Sequence, residues 1–263
     1  MNRRLLQWSA AAFLVAGVSA MPLRAQEHGA PAPASSPDTA GWPEPVDDSA
    51  VYSLVLLDVL EYQRLGNLNA LRWDVTAWAG GDTSRIWLKS SGDLNFSSPL
   101  GGEVDLQILY GRLISPFFDL QAGARIEQHN ERTGTPRRVF LALGLQGLAP
   151  GGFDVEPELF LSNKLKFSGR FTGSIDFFQT QRLVLQPRVE TEFSFQRDEE
   201  FGVDPGINAL EGGVRLRYEL LRELAPYLGV GYRASLGGTR DRVLREGGNP
   251  STFILAAGLR AWF

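Results

Sequence analysis

The sequence predicts an all-β chain: a closed antiparallel transmembrane β-barrel of about twelve strands, preceded by a signal peptide and a disordered tail. Three observations lead there. Residues 51–263 break into segments of about ten residues in which apolar and polar side chains alternate, the period of an extended strand. The connections between those segments alternate between very short and longer. Beyond the N-terminus no apolar run is long enough for a spanning helix, so this chain can cross a bilayer only by closing its backbone hydrogen bonds as a barrel.

Residues 1–25 read as a signal peptide. Arg3 and Arg4 form its positive end, residues 5–18 are apolar, and Val18-Ser19-Ala20 or Leu23-Arg24-Ala25 precedes the cleavage site. Residues 26–50 are rich in Ala, Pro, Ser, Gly and acidic side chains without apolar periodicity, which predicts a disordered periplasmic tail.

Residues 51–263 form the barrel. In 51–63 both parities are apolar, so the facing of this first strand is ambiguous. Next, Leu71, Trp73, Val75 and Ala77 oppose Arg72, Asp74, Thr76 and Trp78, and Gly80-Gly81-Asp82 turns the chain. Ile86 and Leu88 oppose Arg85, Trp87 and Lys89, while Val104, Leu106, Ile108 and Tyr110 oppose Glu103, Asp105 and Gln107. Phe118, Leu120, Ala122, Ala124 and Ile126 oppose Asp119, Gln121, Arg125 and Glu127. Leu141, Leu143 and Leu145 alternate with Ala142, Gly144 and Gln146. Phe153, Val155, Leu159 and Leu161 oppose Asp154, Glu156 and Glu158. Phe167, Phe171, Ile175 and Phe177 oppose Ser168, Arg170, Ser174 and Asp176, and Leu183, Leu185, Val189, Phe193 and Phe195 oppose Arg182, Gln186, Arg188, Glu190 and Glu192. The clearest hairpin, residues 209–236, sets Leu210, Val214, Leu216 and Tyr218 against Glu211, Arg215, Arg217 and Glu219. It then returns with Leu228, Val230 and Tyr232 against Tyr227, Gly229 and Arg233. Residues 252–263 close the chain, with Arg260 on the polar face.

Connections near residues 80, 115, 150, 179 and 223 are very short. Those near 65, 97, 130, 202 and 243 are longer, and 163–165 is a short exception. Short turns on one rim and long loops on the other are the pattern of bacterial outer-membrane barrels, whose short rim and termini are periplasmic. A soluble sandwich has no cause to alternate this way. Outward aromatics gather at strand ends, Phe118, Phe153, Phe177 and Phe263 at the short rim and Phe167, Phe195 and Phe253 at the other, like two interfacial girdles. The terminal Phe263, on an alternating strand, has the form of a signal read by the barrel-assembly machinery.

A net charge of −4 over 263 residues carries no basic stripe for nucleic acid. With no cysteine, thiolate metal sites and disulfides are excluded. The predicted lumen is lined by charges of both signs: Arg72, Asp74, Glu103, Asp105, Arg125, Glu156, Glu158, Arg170, Arg182, Arg188, Glu190, Glu192, Glu211, Arg215, Arg217, Glu219, Arg233 and Arg260. Opposite charges on adjacent strands pair across the ladder, so they either plug the barrel or form an ion-selective passage. No catalytic constellation is visible. His28 lies in the tail, and His129, followed by Asn130 and Glu131 with no serine close by, reads as a solvated loop histidine. No phosphate loop or paired metal-ligand spacing occurs, and no cofactor is required.

The stretches AWAGGDTSRIWLKSSGD (77–93), LQILYGRLISPFFDLQAGAR (106–125), LQGLAP (145–150), TQRLVLQPRVE (180–190), GVRLRYELLRELAPYLGVGY (213–232) and AGLRAWF (257–263) resemble, in that order, the copper resistance protein B family. VYSLVLLDVLEYQ (51–63) is similar to its first strand. The resemblance implies a barrel in the outer membrane of a Gram-negative bacterium, embedded in outer-membrane lipid and serving copper resistance and homeostasis by binding or passing copper ions. It also implies a periplasmic multicopper oxidase as a partner. Members carry a Met- and His-rich N-terminal segment suited to copper. Here that segment offers His28 and Met21 beside Glu27. The other ligands for a copper ion are then carboxylates such as Glu103, Asp105, Glu156, Glu158, Glu190 and Glu192, which favour harder ions or transient passage. The alternative is a structural barrel or a generic small-solute channel without copper specificity.

Overall fold

The structure, a computed structural model, describes residues 50–96, 101–130, 137–199 and 201–263. The expected signal peptide, and the expected tail but for Ala50, lie outside the described residues.

The strands follow one another as antiparallel neighbours. They are β1 (Tyr52–Leu65), β2 (Leu68–Gly80), β3 (Ser84–Asn95), β4 (Gly101–Ser115), β5 (Phe118–Asn130), β6 (Arg137–Ala149) and β7 (Phe153–Ser162), then β8 (Phe167–Ile175), β9 (Phe177–Phe178), β10 (Leu183–Ser194), β11 (Gly206–Tyr218), β12 (Leu224–Ser235) and β13 (Ser251–Trp262). β9 continues the stave of β8 past Asp176, since both pair with β10, so the thirteen strands make twelve staves. β13 pairs with β1 and β10 with β11, which closes the barrel and leaves no free edge. Among the described residues no helix is long and apolar enough to cross a membrane; the strands do the crossing.

The alternation read from the sequence sets the facing. Ile86, Leu88, Ile108, Tyr110, Leu141, Leu159, Leu228 and Val230 are exposed on the outer wall, as the lipid-facing side of a barrel must be. The inner face also holds an apolar cluster that the sequence pattern did not single out. Trp87, Leu109, Phe140, Ala142 and Phe160, with Trp78 against them, fill one wall from β3 to β7.

β1 resolves its ambiguous facing by a bulge. Leu57 opposes the outward Val75 on β2, but Val59 already opposes the inward Asp74, and the pairing with β13 shifts between Leu57 and Leu60. One extra residue therefore lies between two outward positions, and both Asp58 and Val59 turn to the lumen. Beyond the bulge Glu61 and Gln63 face inward and Leu60 and Tyr62 outward.

The expected long connection near residue 65 is instead a two-residue turn. Leu65 pairs with Leu68 across Gly66-Asn67, and Gly66 takes φ +61°, a left-handed conformation that glycine adopts without steric cost. Two long connections on that rim have structure of their own. In residues 195–205 Asp198 and Val203 bridge as a small hairpin. Residues 236–250 contain a helix, α1 (Gly237–Arg245), which the sequence reading placed within a loop; Arg242 and Arg245 in its last turn oppose the negative end of its dipole.

Candidate functional site

Strand parity alone delivers most of the inward charges, and the barrel's closure brings together staves far apart in sequence. Arg72 on β2 donates from Nη1 to Glu211 and from Nη2 to Glu190, both at 2.7 Å. Arg188 on β10 donates to Asp58 at 3.0 Å and to Asp74 at 3.2 Å, and Arg260 on β13 donates to Asp58 at 2.9 Å. Arg233 holds the other oxygen of Glu211 at 2.7 Å. Lys89 on β3 reaches Glu156 on β7, with Glu158 at 3.8 Å. Arg170 lies 3.3 Å from Asp105 and 3.4 Å from Glu192. Arg215 pairs with Glu61 at 3.2 Å, and the Tyr227 hydroxyl donates to the same carboxylate at 3.0 Å. Arg217 pairs with Asp176 at 2.7 Å.

These pairs cross the lumen rather than only running along its wall. Arg72, Arg170 and Arg188 each present a planar fork that engages two carboxylates on different staves, which a lysine ammonium does less rigidly. Between them remains a cavity of about 200 Å³, bounded by Arg72, Asp74, Glu103, Arg170, Glu190 and Glu211 among others. Its lining is polar and of mixed sign, so it suits water and small ions.

At the long-loop rim β4 and β5 form a second arrangement. Glu103 is the cross-strand partner of His129, Asp105 of Glu127, and Gln107 of Arg125. The Nε2 of His129 touches Glu127 and lies 3.7 Å from Glu103; the ligand atoms of the three fall within 4.8 Å of one another. Arg125 and Arg138 also hold Glu127, the former at 3.0 Å. Phe201, from the 195–205 connection, meets the His129 ring edge-on at 5.3 Å, and Arg138 stacks over Phe201 at 3.7 Å.

Of the charges that parity sends inward, Arg72, Asp74, Glu103, Asp105, Glu156, Glu158, Arg170, Arg188, Glu190, Glu192, Glu211 and Arg233 border the cavity. Arg182 does not: it is exposed in the short turn after β9, where its carbonyl accepts the Glu219 amide at 2.8 Å. Glu219 itself lies just past β11, 3.7 Å from Arg217. His129 is not in a loop but on the last turns of the β5 ladder, facing inward, and this corrects the reading of it as a solvated loop residue. Its signal was available, because Glu127-x-His129 at a spacing of two puts both on one strand face. Asp58 had no such signal, since both parities of β1 are apolar and the bulge between Leu57 and Val59 breaks the alternation.

Residues 51–263 match the family described as Copper resistance protein B precursor (CopB). Copper resistance protein B of Escherichia coli is 42% identical over 218 residues, which cover 83% of this chain and 72% of that protein. The Copper resistance protein B homolog of Pseudomonas syringae pv. tomato is 35% identical over the same shares. The NanC porin structure superposes with a TM-score of 0.51 over 80% of this chain and 99% of its own, at 13% identity, a likeness of fold alone.

Proposed function

The chain belongs to the copper resistance protein B family and is an outer-membrane β-barrel, and from that premise we propose that it binds copper ions within a lumen that is plugged at rest and passes them only when its ion pairs rearrange. The observation that carries this reading is the set of arginines bridging opposite staves, above all Arg188 between Asp58 and Asp74 and Arg72 between Glu190 and Glu211. A hydrated ion entering such a lumen meets fixed carboxylates already held by guanidinium groups. It must displace a cation to be bound, which favours divalent over monovalent ions and opposes free conduction. The barrel is taken as non-enzymatic. Its partners on this reading are the barrel-assembly machinery, which recognises the closing strand, and a periplasmic multicopper oxidase that receives the ion.

The test is copper tolerance of a deletion strain complemented by the full chain or by residues 51–263 behind a heterologous signal. The deletion should lower the tolerated copper concentration and both complements should restore it. In planar bilayers the purified protein should show no steady conductance. A strain indifferent to copper, with a protein that conducts sugars or monovalent ions steadily, would identify a generic channel instead.

A further inference from the structure

We infer that Glu103, Glu127 and His129 form a binding site for a divalent transition cation, copper(II) before others, at the long-loop mouth of the lumen. This rests on the reading of the barrel as copper-handling only for the choice of ion; the ligand set stands on its own geometry.

The sequence holds two histidines, two methionines and no cysteine, and of these only His129 falls within residues 51–263. The barrel therefore offers no sulfur ligand for copper(I) and a single imidazole for any metal. That imidazole is not stranded on the surface. Its Nε2 touches the Glu127 carboxylate and sits 3.7 Å from the Glu103 carboxylate across the same rung, with the three ligand atoms within 4.8 Å. One imidazole nitrogen and two carboxylate oxygens converging on one point are the donors that suit copper(II), which binds such sites more tightly than other divalent ions of its row.

A second observation points the same way. Asp105, on the next rung below Glu103, is 2% exposed, and its Oδ1 has no hydrogen-bond partner among the described residues. A buried carboxylate oxygen left unsatisfied is costly, and a cation or the water bound to it relieves that cost. Glu103 and Asp105 both face the 200 Å³ cavity, so the mouth site opens onto the lumen.

The cations around the site are Arg125, Arg138 and Arg170. They face three carboxylates and are shared: Arg138 with Asp198 and Arg170 with Glu192. A carboxylate that coordinates through one lone pair still accepts a guanidinium on another, and such outer contacts fix the orientation of ligands. Phe201, edge-on to His129, covers the ring and limits its rotation.

The experiment uses the purified full-length protein in detergent, without a histidine tag and carrying His28→Ala, so that His129 is the one imidazole present. Stoichiometric copper(II) should give an electron paramagnetic resonance spectrum with coupling to one nitrogen. His129→Ala should abolish that coupling, and Glu103→Gln, the milder change, should weaken copper(II) binding about tenfold or more by calorimetry. Zinc(II) should bind more weakly. Folding of each variant is verified by heat-modifiable migration on a gel. A folded parent protein that binds no copper(II), or a spectrum unchanged by His129→Ala, overturns the site. If the deletion strain is copper-sensitive and rescued while the folded protein binds nothing here, this inference falls and the copper-tolerance reading stands. If the site binds copper(II) and the strain is indifferent to copper, the reverse holds.

Discussion

Asp204, in the 195–205 connection, is 4% exposed and clasped by two arginines: Arg197 donates to one carboxylate oxygen at 2.6 Å and Arg242, on α1, to the other at 3.2 Å. Desolvation pushes its pKa up, but the hydrogen bonds from Arg242 and Arg197 outweigh it and hold the carboxyl below the ordinary aspartate range. A group with a depressed folded pKa contributes stability that is fully present above its unfolded value and is lost as pH falls through the folded one. The clasp between the two long connections is thus intact at neutral pH and released only below about pH 4. Hydrogen exchange over residues 195–205, corrected for the intrinsic effect of pH, should show wild-type protection at pH 7 that fades only in that acid range. Asp204→Asn should show the unprotected pattern at pH 7 already. At the other rim Phe263, 77% exposed, extends the last ladder: its amide donates to the Val55 carbonyl and its carbonyl accepts the Val55 amide, both at 2.9 Å. A charge at that depth costs about 0–1 kcal/mol, too little to prevent insertion by itself. Loss of assembled barrel in Phe263→Asp, read by heat-modifiable migration, is expected and would point to failed recognition of the closing strand; normal migration would mean that Phe263 is not part of the signal.

The elements carry the topology. β1 begins and β13 ends at the rim of the short turns, so both ends of the barrel lie on that side, and α1 and the 195–205 hairpin lie on the other. The orientation of outer-membrane barrels then makes the short rim periplasmic. Cysteine placed at Arg245, exposed at the end of α1, should be labelled on intact cells by a membrane-impermeant maleimide. Cysteine at Asp82, exposed in the turn between β2 and β3, should be labelled only after the outer membrane is opened. Labelling of Asp82→Cys alone on intact cells would invert the barrel. Both positions are exposed and neither pairs in the lumen, so the substitutions leave the ladder untouched. The bulge in β1 acts on a wider range than its own hairpin: Asp58 and Glu61 have opposite parity, so without it one of them would face lipid, and either Arg188 and Arg260 or Arg215 would lose an acceptor.

For the molecule as a whole, the lumen is a lattice of mutual compensation. Arg215 and Arg217 are 11% and 4% exposed at the side chain and hold Glu61 and Asp176 respectively. Replacing both by glutamine leaves two lumenal carboxylates without their cations. Breaking one buried pair costs about 3–5 kcal/mol, less where water reaches it. The double variant should lose its folded gel mobility at a markedly lower temperature than the parent. If the lattice plugs the barrel, the same variant should acquire brief cation-selective openings in bilayer recordings, where the parent shows none; unchanged thermal stability and unchanged silence would mean that these pairs do not hold the plug.

What the sequence determined by itself was the all-β barrel, its facing and its family. Side-chain direction in a strand follows from parity, so Arg188, Glu190 and Glu192 could be sent inward without knowing any partner. The order of short and long connections gave the rims for the same local reason. Tertiary structure decided three things that parity cannot reach. The bulge at Asp58 is set by the register of β1 against both neighbours, and it reverses facing at a point where both parities are apolar. The partners of Arg72 lie 118 and 139 residues away, because closure, not sequence distance, selects which staves look at each other across the lumen. And His129 gained its place beside Glu103 from the rung that aligns β4 with β5, a register set by the Pro116-Phe117 turn together with the one-residue shift between Leu113 and Ser115, at the far end of that hairpin and more than ten residues from the histidine itself. A pattern of period two carries direction along a strand; which strand stands opposite, and at what height, is a property of the closed barrel.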